Sequence, residues 1–424
     1  MAVAGLSGLT AACFSGDGTL GAVCFSDLEC GLAQLCRDSI CGQCGDGEVQ
    51  PGEMCFGSSS EENVVGEVSD LTVVTIDGDL KLAAVVNGSC PMAPLSHCWG
   101  VYVLEVDPAD GDFETSTPFG VTLPGEVTKL SVGDFDGHGE DDVAFAIIPD
   151  DPLSDKSIIS VVYDFPVQAS VDLDVSLIAY NLYAADLDGD GLDDLVIGGR
   201  VSSVISFLFA DPQQASGFGD QRLQVSDLAP RFPAPVDMDN DGDLDLVIAS
   251  AADATIGVDL NDGQGGFTPQ ARLSLDTNLA PAAVVTGDFD GDGNQDVAVV
   301  APARLVSVMP PAFDPDATPS IWVYRGLGDG SLELSEVLPA GENPVYALAT
   351  DINSDGAIDL VIADQGEDEL PVFINRDGKF PDQVSIDVAA APRTLLREDF
   401  DHDGVDDLVV GNANGVIAVV PSEN

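Results

Sequence analysis

Six nine-residue segments of this 424-residue chain place oxygen side chains where a cation could be held. They read DFDGHGEDD from Asp134, DLDGDGLDD from Asp186, DMDNDGDLD from Asp237, DFDGDGNQD from Asp288, DINSDGAID from Asp351 and DFDHDGVDD from Asp399. Positions 1, 3, 5 and 9 carry oxygen side chains, His138 excepted; position 6 is always glycine, and position 7 can offer its carbonyl. Carboxylates converging around a tight glycine turn form a hard-oxygen cage suited to calcium. Without a cation, like charges this close repel; a divalent ion turns that penalty into attraction. Plain polar hairpin tips are the alternative, but a mere turn does not need aspartate at both ends. These are not EF-hands. Position 12, where an EF-hand needs a bidentate glutamate, holds Phe145, Ile197, Ile248, Val299, Ile362 and Val410.

Those apolar residues belong to short β-branched runs (VAFAII, LVIGG, LVIAS, VAVVA, LVIAD, LVVGN) bounded by turns, which predicts a strand after each loop. A second such run usually follows, then a glycine-rich turn such as NDGQGG at Asn261 or GLGDGS at Gly326, then a weaker fourth strand. Four strands in each repeat describe a propeller blade. The loops recur at spacings of 52, 51, 51, 63 and 48 residues, and an eroded copy, TIDGDLKLAAVV, starts at Thr75. The expected fold is therefore all-β: a seven-bladed β-propeller with a small disulfide-rich N-terminal segment. Residues 1–12 are expected to be a signal remnant or tag, 13–53 the cysteine-rich segment and 54–424 the propeller. After Asp399 only two strand-like runs remain, so the stretch from Met54 to Val65 is expected to complete the last blade. Closure of this kind leaves no open edge in the ring.

The repeat resembles the FG-GAP (VCBS-type) repeat of integrin α-chain propellers and of many bacterial surface proteins, over roughly residues 61–424. The resemblance implies calcium in blade hairpins on one face. Carried over by position, the ligands would be Asp186, Asp188, Asp190 and Asp194 in blade three, and Asp237, Asp239, Asp241 and Asp245 in blade four. Blade five would use Asp288, Asp290, Asp292 and Asp296; blade six, Asp351, Asn353, Asp355 and Asp359; blade seven, Asp399, Asp401, Asp403 and Asp407. Blade two sets His138 beside Asp134, Asp136 and Asp142, and imidazole is a poor partner for a hard ion, so this site is expected to be the weakest. Blade one is expected to bind nothing.

Cysteine usage divides the chain. Seven of nine cysteines, Cys13, Cys24, Cys30, Cys36, Cys41, Cys44 and Cys55, lie in the first 60 residues, and Cys90 and Cys98 are close enough to pair with each other. Such density reads as a disulfide framework in an oxidising compartment outside the cytoplasm. Zinc competes at Cys41 and Cys44, but no second C-x-x-C follows. The small apolar segment Ala2–Ala12 before Cys13 resembles the end of a bacterial lipoprotein signal, which implies a lipid anchor at Cys13. It lacks a basic n-region, and a free or intermolecularly paired thiol is the alternative. CFSDLECGLAQLCRDSIC and CGQCGDGEVQPGEMC resemble small cysteine-rich repeats of secreted myxobacterial proteins, which bears on compartment alone.

The formal net charge of −60 excludes phosphate-backbone binding to nucleic acid and attraction to anionic membranes. At 45% hydrophobic the chain is nevertheless not a disordered acidic tail, and no apolar run is long enough to predict a transmembrane helix. The acidity beyond the loops fits a salt-adapted surface or a cationic partner. Catalytic signals are poor: the three histidines are His97, His138 and His402, and neither G-x-S-x-G nor H-E-x-x-H occurs. No pair of carboxylates stands out as a glycosidase couple, so an enzyme is not expected. If the acid loops join strands one and two, the connections from strand two to three emerge on the opposite face. Three of these are enlarged (87–99, 149–157 and 301–320), and they make Trp99, Lys156, Arg304 and Phe313 the candidate ligand face. The expected function is a monomeric surface recognition, adhesion or structural module with a protein ligand. The alternative is a calcium-dependent lectin, although two tryptophans and six tyrosines supply no aromatic platform repeated from blade to blade.

Overall fold

The apolar runs behind the acid loops are strands buried along their whole length. Asp194–Gly199, Asp245–Ser250, Asp296–Ala301, Asp359–Asp364 and Asp407–Asn412 are buried at every residue. A strand can be apolar on both faces only if both are covered, and here a neighbouring sheet covers each face. The computed structural model describes residues 60–420, together with Ala12–Ser15 and Glu53–Phe56. It is interrupted at 65–66, 77, 90–96, 107–112, 120–124, 150–153, 166–169, 227–228, 277–278, 303–304, 309–310, 314–317, 354, 367, 389–390 and 401–405.

Seven sheets of antiparallel strands follow in chain order; five of them take their strands consecutively, and blade five has a separate hairpin inserted between its second and third strands. Blade three shows the pattern: Ala179–Ala185 innermost, then Asp194–Gly199, Val204–Leu208 and Arg222–Val225 outermost. Blade four divides its outer strand into Phe267–Pro269 and Leu273–Ser274. In blade seven the chain supplies Pro392–Glu398, Asp407–Asn412 and Val416–Val420, and Ser60–Asn63 adds the fourth strand, with Ser60 opposite Val419. In the N-terminal segment Ala12–Ser15 pairs with Glu53–Phe56, Cys13 opposite Cys55. Cys24, Cys30, Cys36, Cys41, Cys44 and Cys90 lie outside the described residues, as does the side chain of Cys98.

Seven apolar clusters hold the sheets together, one at each interface between blades. Ala144, Ile159 and Val161 of blade two meet Leu182, Leu195 and Ile197 of blade three. Phe400, Val409 and Ile417 of blade seven meet Val68, Leu82 and Leu104 of blade one, so the ring closes through a core of the same kind. The first strands pack side by side around the axis. Six of them carry a β-bulge at one equivalent place, where register skips Ser69, Thr128, Tyr180, Arg231, Val345 or Arg393. Bulges sharpen strand twist and re-aim side chains.

Ring closure gives a direct prediction. A chain lacking residues 1–66 should expose the edge of Val416–Val420 and lose the Val64 N–H bond to the Gly415 carbonyl. Such edges pair with other chains. Light scattering should show association and the melt should fall by several degrees, whereas a chain lacking only residues 1–52 keeps the strand and stays monomeric. A monomeric, equally stable 67–424 chain would contradict this account.

Candidate metal centres of the acid loops

Each acid loop joins the innermost strand of a blade to the second, and its ninth residue begins that second strand. Asp142, Asp194, Asp245, Asp296, Asp359 and Asp407 are at most 2% exposed. One carboxylate oxygen accepts the N–H of loop position 2, from Phe135, Leu187, Met238, Phe289 or Phe400, at 2.9–3.1 Å. The other accepts an N–H at the end of the third strand, from Asp164, Ala210, Asn261, Gly326 or Asn375, at 2.7–2.8 Å. The ninth residue therefore ties loop, second strand and third strand together. Position 2 anchors the loop from below, since Phe135, Leu187, Met238, Phe289 and Phe400 are buried in the blade interfaces.

Above this anchor the loop curls on itself. The position 1 carboxylate accepts the N–H of the glycine at position 6, in Gly139, Gly191, Gly242, Gly293 and Gly356. These glycines sit at φ of 82–95°, where a side chain would be strained. In four loops, ligand atoms from positions 1, 3 and 9 lie within 4.8 Å of one another: Asp134, Asp136 and Asp142; Asp186, Asp188 and Asp194; Asp237, Asp239 and Asp245; Asp288, Asp290 and Asp296. Position 5 is turned differently, with Asp190, Asp241, Asp292 and Asp355 each accepting the N–H two residues on.

The donor set fits a hard divalent cation. Asp188 Oδ1, Asp237 Oδ1 and Asp239 Oδ1 are buried atoms with no hydrogen-bond partner. A buried carboxylate oxygen left unsatisfied is costly, and one cation in the loop of Asp188 with another in the loop of Asp237 and Asp239 would satisfy them. Loss of hydration on burial, with neighbouring carboxylates adding to it, pushes Asp142 and Asp245 up to about 6, and Asp194 and Asp359 up to about 7. Asp188 and Asp239 are raised for the same reasons.

Three loops depart from the common pattern. In blade two His138 Nδ1 lies 3.0 Å from Asp136 Oδ2, and Asp164 joins them as a third donor. One imidazole with two carboxylates suits a borderline transition ion better than calcium. In blade five Arg325, which the sequence reading did not single out, reaches Asp290 at 3.0 Å and Asp292 at 2.6 Å. This guanidinium, 46% exposed, is a tethered cation competing for the carboxylates. In blade six Asn353 Oδ1 accepts the Asp355 N–H, leaving buried Nδ2 without a partner. Asp401 and Asp403 of blade seven lie outside the described residues.

The loops are also linked around the ring. Asp193 accepts the Asp134 N–H and donates its own N–H to the Asp134 carbonyl, both at 3.0 Å, joining blade three to blade two. Asn261 Nδ2 donates to the Leu187 carbonyl at 2.8 Å, and Asn375 Nδ2 to the Phe289 carbonyl at 2.7 Å. Asparagine at the end of strand three in blades four and six is the sequence mark of this clamp.

Strand alternation puts the connections from strand two to three on the opposite face. The longest carries a two-stranded hairpin, Leu305–Val308 with Pro311–Phe313. Lys156 is exposed there. Arg304 and the side chains of Trp99 and Phe313 lie outside the described residues. No helix among the described residues is long and apolar enough to cross a membrane.

Comparison with known proteins agrees with this architecture. The model of the FG-GAP-like repeat matches residues 237–299 and 351–410. The sequence matches none of the curated proteins. Among solved structures, the periplasmic gluconolactonase of Pseudomonas aeruginosa superposes with a TM-score of 0.53 at 13% identity, covering 82% of this chain and 95% of its own. A putative 6-phosphogluconolactonase from Bacteroides fragilis gives 0.52 at 12%, covering 82% and 94%. A protein from Lactobacillus plantarum gives 0.51 at 12%, covering 82% and 95%. At such identities the likeness is one of fold. The chain is an all-β, seven-bladed propeller that carries FG-GAP-like repeats.

Proposed function

We propose that this protein is a recognition module working outside the cytoplasm: a rigid propeller braced by calcium at its acid loops, with its contact surface on the opposite face. The observation that carries the reading is the set of clustered, partly unsatisfied carboxylate oxygens at Asp188, Asp237 and Asp239. Asp134, Asp136, Asp186, Asp188, Asp237, Asp239, Asp288 and Asp290 would hold the ions, with the ninth residues behind them. Calcium would supply neutralising charge and no bond-breaking chemistry. The cysteine-rich segment supports an oxidising compartment, and the long connections of the far face support recognition in preference to catalysis.

Equilibrium dialysis against calcium should find one ion per intact loop, with Asp188→Ala and Asp239→Ala each removing one. Asp136→Ala in blade two should change the count least. A chain that takes up no calcium would end the reading. Its recognition half is tested by affinity capture with the intact chain and with one whose 303–317 segment is replaced by a short turn. A partner held by the first and lost by the second is the expected result; a partner held equally by both places the contact surface elsewhere.

A further inference from the structure

The innermost strands enclose a cavity of about 690 Å³ around the propeller axis. That volume lies within the range of roughly 300–1,000 Å³ usual for small-molecule sites. Asn87 and Ile148, near the ends of second strands, and Arg200 and Gln365, just after them, line it. It therefore opens on the face away from the acid loops.

The blades repeat, but the wall of the cavity does not. Five residues before each loop, at the bulge level, stand Asp70 in blade one, Lys129 in blade two, Asn181 in blade three, Phe232 in blade four, Ala283 in blade five and Tyr346 in blade six. A scaffold requirement would favour one residue type at equivalent positions. Different residues at each suggest a wall shaped for something asymmetric.

The chemistry of the wall narrows the choice. Its charges are neutralised in place. Lys129 Nζ lies 2.7 Å from Asp70 Oδ1, while Asp70 Oδ2 accepts the Leu130 N–H at 3.0 Å. Burial works against the ammonium, yet Asp70 and Tyr346 hold its pKa above the ordinary value. Arg393 pairs with Glu67, and exposed Arg200 and Glu126 balance each other in sign at the mouth. A cationic ligand finds Asp70 already taken, and an anionic one is repelled by a chain of net charge −60. What remains is neutral and rich in hydrogen-bonding groups. The Tyr183 hydroxyl accepts from Asn181 Nδ2 at 2.8 Å, which frees its own proton to donate. Asn87 Oδ1 is buried without a partner, and Lys129 keeps two N–H groups beyond the one facing Asp70. Three of the six tyrosines, Tyr180, Tyr183 and Tyr346, lie here, and phenol rings combine an apolar face with a polar tip.

We propose that this central cavity binds a neutral saccharide, entering from the face opposite the acid loops, with tyrosine rings against the sugar ring and Lys129, Tyr183 and Asn87 on its hydroxyls. The assignment deepens the recognition reading and rests on it. It differs from the lectin that stood as the alternative reading of the sequence, for which repeated platforms between blades were lacking. A single unrepeated pocket on the axis needs none.

The test uses the full, disulfide-intact chain in calcium, titrated calorimetrically with a panel of neutral monosaccharides and their α- and β-linked disaccharides. At least one should bind. Tyr183→Phe, which keeps the ring and removes the donor, should weaken it about tenfold, the worth of one buried hydrogen bond. Tyr346→Ala should weaken it at least as much, and Val225→Ser, on an outer strand, should leave it unchanged. Binding indifferent to both tyrosine variants would overturn the assignment, as would no binding across the panel. Protein capture by the same intact chain, with no saccharide bound, overturns the cavity assignment and leaves the recognition reading standing; failure of both measurements overturns both.

Discussion

Transfer of the folded chain from calcium to metal-free buffer at neutral pH is expected to lower its melting temperature by roughly 10 °C or more. An ion held at a hundred times its dissociation constant stabilises the native state by about 2.7 kcal/mol. Four loops bring together positions 1, 3 and 9, so even partial occupancy adds up in a protein whose margin is small. The pH dependence of the metal-free state gives a sharper signature. Asp142 and Asp245 are pushed up to about 6, and Asp194 and Asp359 to about 7, by burial first and neighbouring carboxylates second. Between the ordinary carboxylate pKa and these values the folded chain binds more protons than the unfolded one. Stability from these groups is thus fully present below the ordinary value and lost as pH rises through 6 to 7. The metal-free protein should melt higher at pH 5 than at pH 7.5, the reverse of ordinary acid destabilisation. In saturating calcium the order should invert, because protons compete with the ion for the carboxylates at positions 1 and 3 of each loop. Scanning calorimetry in the four conditions decides the matter, and equal melts with and without calcium would make the loops plain hairpin tips.

The parts of this molecule that were legible in its sequence are those each blade must repeat. A second strand packed on both faces has to be apolar throughout, so LVIGG, LVIAS and VAVVA announced themselves, and the loops before them share a glycine and aspartates because the turn is the same each time. The blade count followed from the spacing. Features arising where residues from different repeats meet were not legible. The axial cavity draws on Asp70, Lys129, Tyr183 and Tyr346, which are far apart in sequence and different in kind. Nothing at Lys129 marks it as the partner of Asp70, because the bulges that set both residues at one level leave no fixed sequence sign. Arg325 was hidden likewise: it ends a third strand, and only the fold brings it over Asp290 and Asp292. The ninth loop residue was legible as an acid. Its double attachment to backbone N–H groups, one of them beyond the hairpin, required the third strand to be in place.

That double attachment separates the roles of two aspartates in one loop, and blade three is the place to measure it. Asp194 accepts the Leu187 N–H at 3.0 Å and the Ala210 N–H at 2.8 Å. Asp194→Ala would leave two buried donors unpaired, each costing about 1–3 kcal/mol, and would open a void beneath the loop. The loss should come to roughly 3–5 kcal/mol and be nearly the same in calcium and in metal-free buffer, because the clamp serves the fold before it serves any ion. Asp188 is the opposite case. Its Oδ1 is buried without a partner, and burial with the charges of Asp190 and Asp186 disfavours its ionised form. Asp188→Ala should therefore be close to neutral, or slightly stabilising, in metal-free buffer, yet forfeit the calcium-dependent gain of its loop. Urea denaturation of both variants with and without calcium reads the two effects separately. If Asp188→Ala were as damaging without calcium as with it, position 3 would belong to the hairpin and not to an ion. If Asp194→Ala were harmful only in calcium, the ninth residue would be a ligand first and a clamp second.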